Sequence, residues 1–241
     1  MKAALASVKF INKDLNFNLS QIDKYSRMAK ETGADLIVFG EAFLQGFDSL
    51  SWNHEEDLKT AVPRDGKEIK AIKDMSLKYG IDIMTGYIEK DGGNIYSSEI
   101  LVSGSEMLYN YRRVSTGWRE EDRTDCHYLE GNDSGPFFYK DKSYGIALCG
   151  DLWDKDTMQS FSFRETLIWP LYINYDEKEW LSTGENEYAR QAGHFARKVL
   201  MVNSVSSSPD EVSTGGAFVF ENGKATQRFY TGEEGLLVVD L

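Results

Sequence analysis

The sequence predicts an α/β fold, with sheets layered between helices, from three features. Residues 2–39 read as strand, helix, strand; residues 81–111 read as an antiparallel meander; and the C-terminal stretch holds a further hairpin. Parallel-type units and hairpins in one chain fit stacked sheets with helical outer layers better than a helix bundle or a helix-free sandwich. No Pro- or Ser-rich linker interrupts residues 1–241 and no short-period repeat is present, so one domain is expected and a solenoid or propeller is disfavoured.

Residues 2–10 are apolar-rich and short, a first strand. Leu15, Leu19, Ile22 and Ala29 then recur at helical spacing, and Gly33 supplies a stop. Residues 35–39 are of the β-branched and aromatic kind that fills a strand buried on both faces, ending in Gly40-Glu41. Over 67–79, Ile69, Ile72, Ser76 and Tyr79 share a helical face, and Gly80 offers a left-handed C-cap. From Ile81 the period changes, with strands at 81–84, 95–102 and 107–111 joined by Asp91-Gly92-Gly93-Asn94 and Ser103-Gly104-Ser105. The acid-rich stretch 115–134 is too long for an ordinary connection and reads as a functional loop or lid. Residues 144–149 and 166–172 read as buried strands, 185–198 as a helix and 199–203 as a strand. Strands at 216–220 and 225–230 flank the turn Glu221-Asn222-Gly223-Lys224, and 236–241 closes the chain.

Composition narrows the function. With 27 Lys and Arg against 39 Asp and Glu, the net charge of -12 disfavours nucleic acid and anionic lipid as partners. Lys9, Lys13 and Asp14 interrupt the apolar N-terminus, and no stretch approaches the roughly 18 apolar residues of a membrane span, so a cytoplasmic, non-exported protein is expected. The two cysteines, Cys126 and Cys149, form neither a disulfide framework nor a paired zinc motif.

Chemistry is expected where strands end. Cys149 closes a buried run and is followed by Gly150 and Asp151, and Glu41 stands at the corresponding place after 35–39. A carboxylate there is costly unless it is paired or used. Of the three histidines, His54, His127 and His194, His127 is nearest to the loop, but a lone loop histidine is more often solvated than catalytic. Cys126 reads as a bystander.

Three segments together resemble the catalytic blocks of the nitrilase superfamily, the carbon-nitrogen hydrolases. They are Gly33-Ala34-Asp35-Leu36-Ile37-Val38-Phe39-Gly40-Glu41, Tyr111-Arg112-Arg113 and Gly145-Ile146-Ala147-Leu148-Cys149-Gly150-Asp151-Leu152. Asn94, Trp169-Pro170, the helix over 189–196 and Asn203 extend the resemblance along nearly the whole chain. It implies a four-layer α-β-β-α sandwich, homodimers formed through a helical layer, and a Glu, Lys and Cys triad that hydrolyses non-peptide C–N bonds without metal or organic cofactor.

On that resemblance Cys149 is the nucleophile, Glu41 the general base and acid, and Arg113 occupies the place of the lysine, since positions 91–139 contain no lysine. A guanidinium can stabilise an oxyanion, but it is wider than an ammonium and too weakly acidic to release a proton. Arg112 is its neighbour and competitor, and strand alternation allows only one of the two to face inward. Glu120, Glu121 and Asp125 are each candidates for a further acid beside the nucleophile. Asp151, Trp153 and Glu121 are expected to contact substrate, with Trp118 as a further wall. The expected activity is hydrolysis of an amide bond in a small molecule; the alternative is a binding protein or assembly subunit that kept the fold without turnover.

Overall fold

The computed structural model describes residues 1–175, 177–207, 212–230 and 232–241. The chain begins with β1 (Lys2–Ser7), α1 (Leu15–Glu31) and β2 (Leu36–Val38), the expected β-α-β unit. Asp14 caps α1 by accepting the Phe17 N–H, and Gly33 turns the chain back at φ 80°. After α2 (His54–Thr60), α3 occupies Lys67–Tyr79 and stops where Gly80 takes the left-handed conformation. Strands β3 (Asp82–Asp91), β4 (Asn94–Ser103) and β5 (Glu106–Arg112) form the meander. Residues 115–134 then run without regular helix or strand.

The second half carries β6 (Phe137–Tyr139), β7 (Lys142–Ile146), the single turn α4 (Lys155–Met158) and β8 (Arg164–Leu171). A short turn α5 (Glu177–Glu179) and α6 (Glu185–Ala192) lead to β9 (Ala196–Ser207), and β10 (Val212–Glu221), β11 (Lys224–Phe229) and β12 (Gly235–Asp240) finish the fold.

Two six-stranded sheets result, ordered β12-β1-β2-β3-β4-β5 and β11-β10-β9-β8-β7-β6. Each has a parallel centre, β1-β2-β3 and β7-β8-β9, with antiparallel strands outside it. Their facing surfaces bury Leu5, Leu36, Val38, Met84 and Leu101 against Ile146, Leu148, Ile168, Leu200 and Val202. Ile22, Tyr25 and Ala29 of α1 and Ile69 and Ile72 of α3 cover the outer face of the first sheet, while Tyr188, Ala189 and Ala192 of α6 cover the second. The α/β class and its four-layer α-β-β-α arrangement are therefore as the sequence predicts.

Four local expectations change. The helix read over 185–198 stops at Ala192, because residues 196–198 are recruited into β9 by parallel pairing with β8 (Arg164↔Ala196, Thr166↔Lys198). The strand read over 144–149 ends at Ile146, and Cys149 opens a tight 3-10 turn, Cys149–Leu152. Helix α2 and strand β6 are too short to show a periodicity in the sequence. The last strand leaves the C-terminal hairpin and pairs antiparallel with β1, which ties the chain's ends together in the first sheet.

Candidate active site

The parallel strands deliver their C-terminal ends to one edge of the sandwich, and the side chains just beyond those ends converge there. Glu41 follows β2 by three residues, Arg113 directly follows β5, and Cys149 follows β7 by three residues. Glu41 is fully buried and Arg113 is 3 % exposed, and the two form an ion pair with Nη1 2.9 Å from Oε1. Ser97 on β4 donates to the same Oε1 at 3.1 Å, and Arg113 Nε donates to Ser115 Oγ at 2.8 Å. Burial works against the Arg113 charge, but the anionic side of Glu41, then Cys149 and Asp151, holds its pKa above the usual guanidinium value.

Alternation on β5 decides between the two arginines as expected. Arg112 points to the opposite face, where it donates to Glu89 and Asp91 and lies over the Tyr96 ring, 3.6 Å from its centroid.

Cys149 sits in a strained turn. Its φ of 37° belongs to the left-handed region, which costs a residue other than glycine on the order of 1–3 kcal/mol and persists only where neighbours enforce it. Trp169 Nε1 donates to the Cys149 carbonyl at 3.0 Å, and Asp151 fixes both flanks of the turn. Asp151 Oδ2 accepts from Leu148 N (2.8 Å) and Tyr111 Oη (2.7 Å), while Oδ1 accepts from Val114 N (3.1 Å) and Ser115 N (2.8 Å). One carboxylate thus ties the Cys149 turn to the segment carrying Arg113. A side chain at Gly150 would push the Arg113 guanidinium aside, so the glycine lets the two segments meet with that guanidinium in its present place.

The Cys149 thiol lies 3.7 Å from the Tyr172 carbonyl. Burial of the sulfur, with the charge of Glu41 adding to it and Arg113 opposing, pushes its pKa up to about 12. The resting group is a neutral thiol, and a base is needed to make it a nucleophile.

A cavity of about 360 Å³ opens onto Glu41 and Ser97. Its walls are Phe47, Leu50, Trp52, Ile88 and Trp118, with Arg119, Glu120 and Arg123 at the rim. Trp118 is therefore a wall, as expected. Of the other expected site residues, Cys149, Arg113, Asp151, Trp153 and Glu121 do not line this cavity. Asp151 is buried with all its hydrogen-bonding capacity spent inside the protein, so it positions the turn instead of meeting substrate. Trp153 packs on Trp169 and Tyr188 beneath α6, and Glu121 is exposed and outside the cavity walls. Glu120 reaches the rim but pairs with Arg123 at 2.9 Å, and Asp125 holds His127. His54 and His127 stack on each other at 4.0 Å on the outside of the loop, and His194 is exposed. Among the described residues, no group of three or more His, Cys, Asp or Glu is arranged to hold a metal ion, and no helix is long and apolar enough to cross a membrane.

Lys140 pairs with Asp82 at 3.0 Å. Asp82 begins β3, so this ammonium lies at the sheet edge opposite Glu41 and does not enter the site.

Sequence reasoning missed Glu99. It is fully buried on β4, and among the described residues neither of its oxygens has a hydrogen-bond partner. Burial, and secondly the charge of Glu41, raise its pKa well above the ordinary carboxylate value. The available signal was period two: Ser97, Glu99 and Leu101 share one face of β4, and Leu101 belongs to the core between the sheets.

Residues 2–160, which include Glu41, Arg113 and Cys149, match the sequence profile of the carbon-nitrogen hydrolases. The chain belongs to that family. It is 26 % identical over 120 residues to a nitrilase from Meyerozyma guilliermondii, covering 47 % of this chain and 38 % of the relative. It is 24 % identical over 258 residues to a glutamine-dependent NAD(+) synthetase from Thermotoga maritima, covering 100 % of this chain and 42 % of that protein. The chain thus spans less than half the length of these two relatives. Among solved structures, an amidase mutant from Nesterenkonia sp. AN1, captured after Michael addition of acrylamide at its active-site cysteine, superposes with a TM-score of 0.77 at 19 % identity. The superposition covers 100 % of this chain and 93 % of that one, and at this identity the likeness is one of fold.

Proposed function

We propose that this carbon-nitrogen hydrolase cleaves an amide bond of a small molecule through a thioester on Cys149. The observation that carries the reading is the buried Glu41–Arg113 pair held against the strained Cys149 turn. Glu41 takes the thiol proton as sulfur bonds to the amide carbon, and the oxygen that gains charge is stabilised by the Arg113 guanidinium. Glu41 then gives the proton to the departing nitrogen as the C–N bond breaks, leaving a thioester. Water attacks the thioester with Glu41 again as base, the C–S bond breaks, and the carboxylic acid and the thiol are released. A thiol with pKa near 12 makes base assistance by Glu41 essential in this scheme. The cavity beside Glu41, with its aromatic walls, has room for a small, partly apolar molecule next to the proposed base.

Incubation with a panel of small amides, followed by intact-mass measurement, tests the reading. The expected result is an acyl adduct that maps to Cys149, is absent in Cys149→Ala and accumulates more slowly in Glu41→Gln. Arg113→Lys, which restores a cation able to release a proton, is expected to increase turnover. The second reading, a ligand-binding protein without turnover, is favoured by the guanidinium at position 113 and would show saturable amide binding, no adduct and no gain from Arg113→Lys.

A further inference from the structure

Glu41 is held on one side only. Its Oε1 takes hydrogen bonds from Arg113 and Ser97, whereas its Oε2 is buried without a partner. Glu99 presents the complementary deficit, two buried oxygens without a partner, and the fold places it beside Glu41. Ser97 and Glu99 lie two residues apart on the same face of β4, so Glu99 neighbours the hydroxyl that touches Glu41. Glu99 is also directly opposite Gly86 in the β3–β4 ladder. Gly86 is the position over which the backbone of Gly40, Glu41 and Ala42 passes so closely that any side chain would collide with it.

We propose that Glu99, as a neutral carboxyl, donates its hydrogen to Glu41 Oε2 and so holds Glu41 from the side that Arg113 and Ser97 leave open. One shared hydrogen satisfies a buried oxygen on each residue, where two ionised carboxylates would repel and remain unpaired. The charges agree. The inner face of this edge holds the anions Glu41 and Asp151 and the cation Arg113, and Tyr111, the partner of Glu99 across β5, donates to Asp151. Among the described residues Glu99 has no cation of its own. Burial, and secondly the neighbouring Glu41 charge, raise its pKa and favour its neutral form. Glu99 is a positioning residue: it acts on Glu41, not on substrate, and it rests on the reading of Glu41 as the base.

The experiment is the pH profile of Cys149 alkylation by iodoacetamide, read by peptide-resolved mass spectrometry in a Cys126→Ser background. Wild type is expected to show an acid limb, where labelling falls as Glu41 gains a proton. Glu99→Leu removes the donor and is expected to move that limb upward by about one pH unit or more, the size of one hydrogen bond to a charged group. Glu99→Gln keeps an N–H donor and is expected to hold the limb near its wild-type position. A limb that moves downward in both variants would mean that Glu99 is an ionised, repelling neighbour, and a limb unmoved in Glu99→Leu would mean that it only fills space; either result overturns the proposal. Glu41→Gln separates the two readings. If it labels like wild type, the base role falls and the Glu99 role with it; if it loses the limb while Glu99→Leu keeps it, only the Glu99 role falls. Should Glu99→Leu fail to fold, infrared difference spectra of wild type against Glu99→Gln decide the matter, because the proposal requires a neutral-carboxyl band at neutral pH that disappears in the variant.

Discussion

Glu89 on β3 and Glu99 on β4 are both fully buried, on the same hairpin, and they face opposite sides of the sheet. On the outer side, Glu89 receives two hydrogen bonds from Arg112 and others from Arg64, Ser98 and Asn110. Burial opposes its charge, but those donors prevail and hold its pKa down at about 2. On the inner side, Glu99 meets no cation, because Arg113 is already committed to Glu41, and burial pushes it toward the neutral form. Two carboxyls shut off from solvent are thus shifted in opposite directions, the donors supplied by each face make the difference, and the adjacent pair Arg112 and Arg113 is split between the faces by strand alternation.

The largest expected effect comes from removing one of the two cations of the outer side. Arg112→Met takes two charge-assisted hydrogen bonds from the buried Glu89, leaving it Arg64, Ser98 and Asn110, and is expected to cost on the order of 3 kcal/mol in urea denaturation, with Cys149 labelling unchanged in the folded protein. Equal loss of labelling would break the separation of the two faces. Acid titration comes next. Because the Glu89 pKa is depressed on folding, its contribution is present above the unfolded value near 4.5 and is lost as pH falls toward about 2. This amounts to on the order of 3 kcal/mol, and Glu89→Gln is expected to flatten that part of the stability profile.

Glu99 carries the opposite sign. Its folded pKa is raised, so its contribution is complete below the ordinary unfolded value and declines as pH rises. Relative to wild type, Glu99→Gln is expected to gain stability with increasing pH, by about 1.4 kcal/mol per unit where one proton separates the folded and unfolded states. Chemical denaturation at mildly acidic and at neutral pH measures this, and a gain that shrinks with pH would place an ionised carboxylate in the inner face. The smallest effect belongs to Lys140, whose partly exposed pair with Asp82 lies away from both glutamates. Lys140→Ala is expected to cost no more than about 1 kcal/mol and to leave labelling unchanged.

Much of this was legible in the chain. Helix α3 ends where Gly80 follows Tyr79, the meander turns fall at Gly92-Gly93 and at Gly104, and Glu41 and Cys149 follow apolar runs that become parallel strands. These signals are local: a left-handed cap, a tight turn and a buried strand each leave their mark within a few residues. The misread elements depended on partners far along the chain. Residues 196–198 became strand because β8 offered an edge, and Asp151 reads in the sequence as a substrate contact, whereas three of its donors, Tyr111, Val114 and Ser115, come from a distant segment.

The sequence by itself determined the α/β layering, the strand ends that carry Glu41 and Cys149, and that Arg112 and Arg113 face opposite sides of the sheet, since periodicity and alternation are properties of a single segment. Only the tertiary structure decided that Arg113 pairs with Glu41, that Asp151 locks the Cys149 turn, and that Glu99 stands beside the site without a cation. Those outcomes depend on which donors and acceptors the two sheets bring face to face. In a buried space the nearest partner, not the residue type, sets the charge.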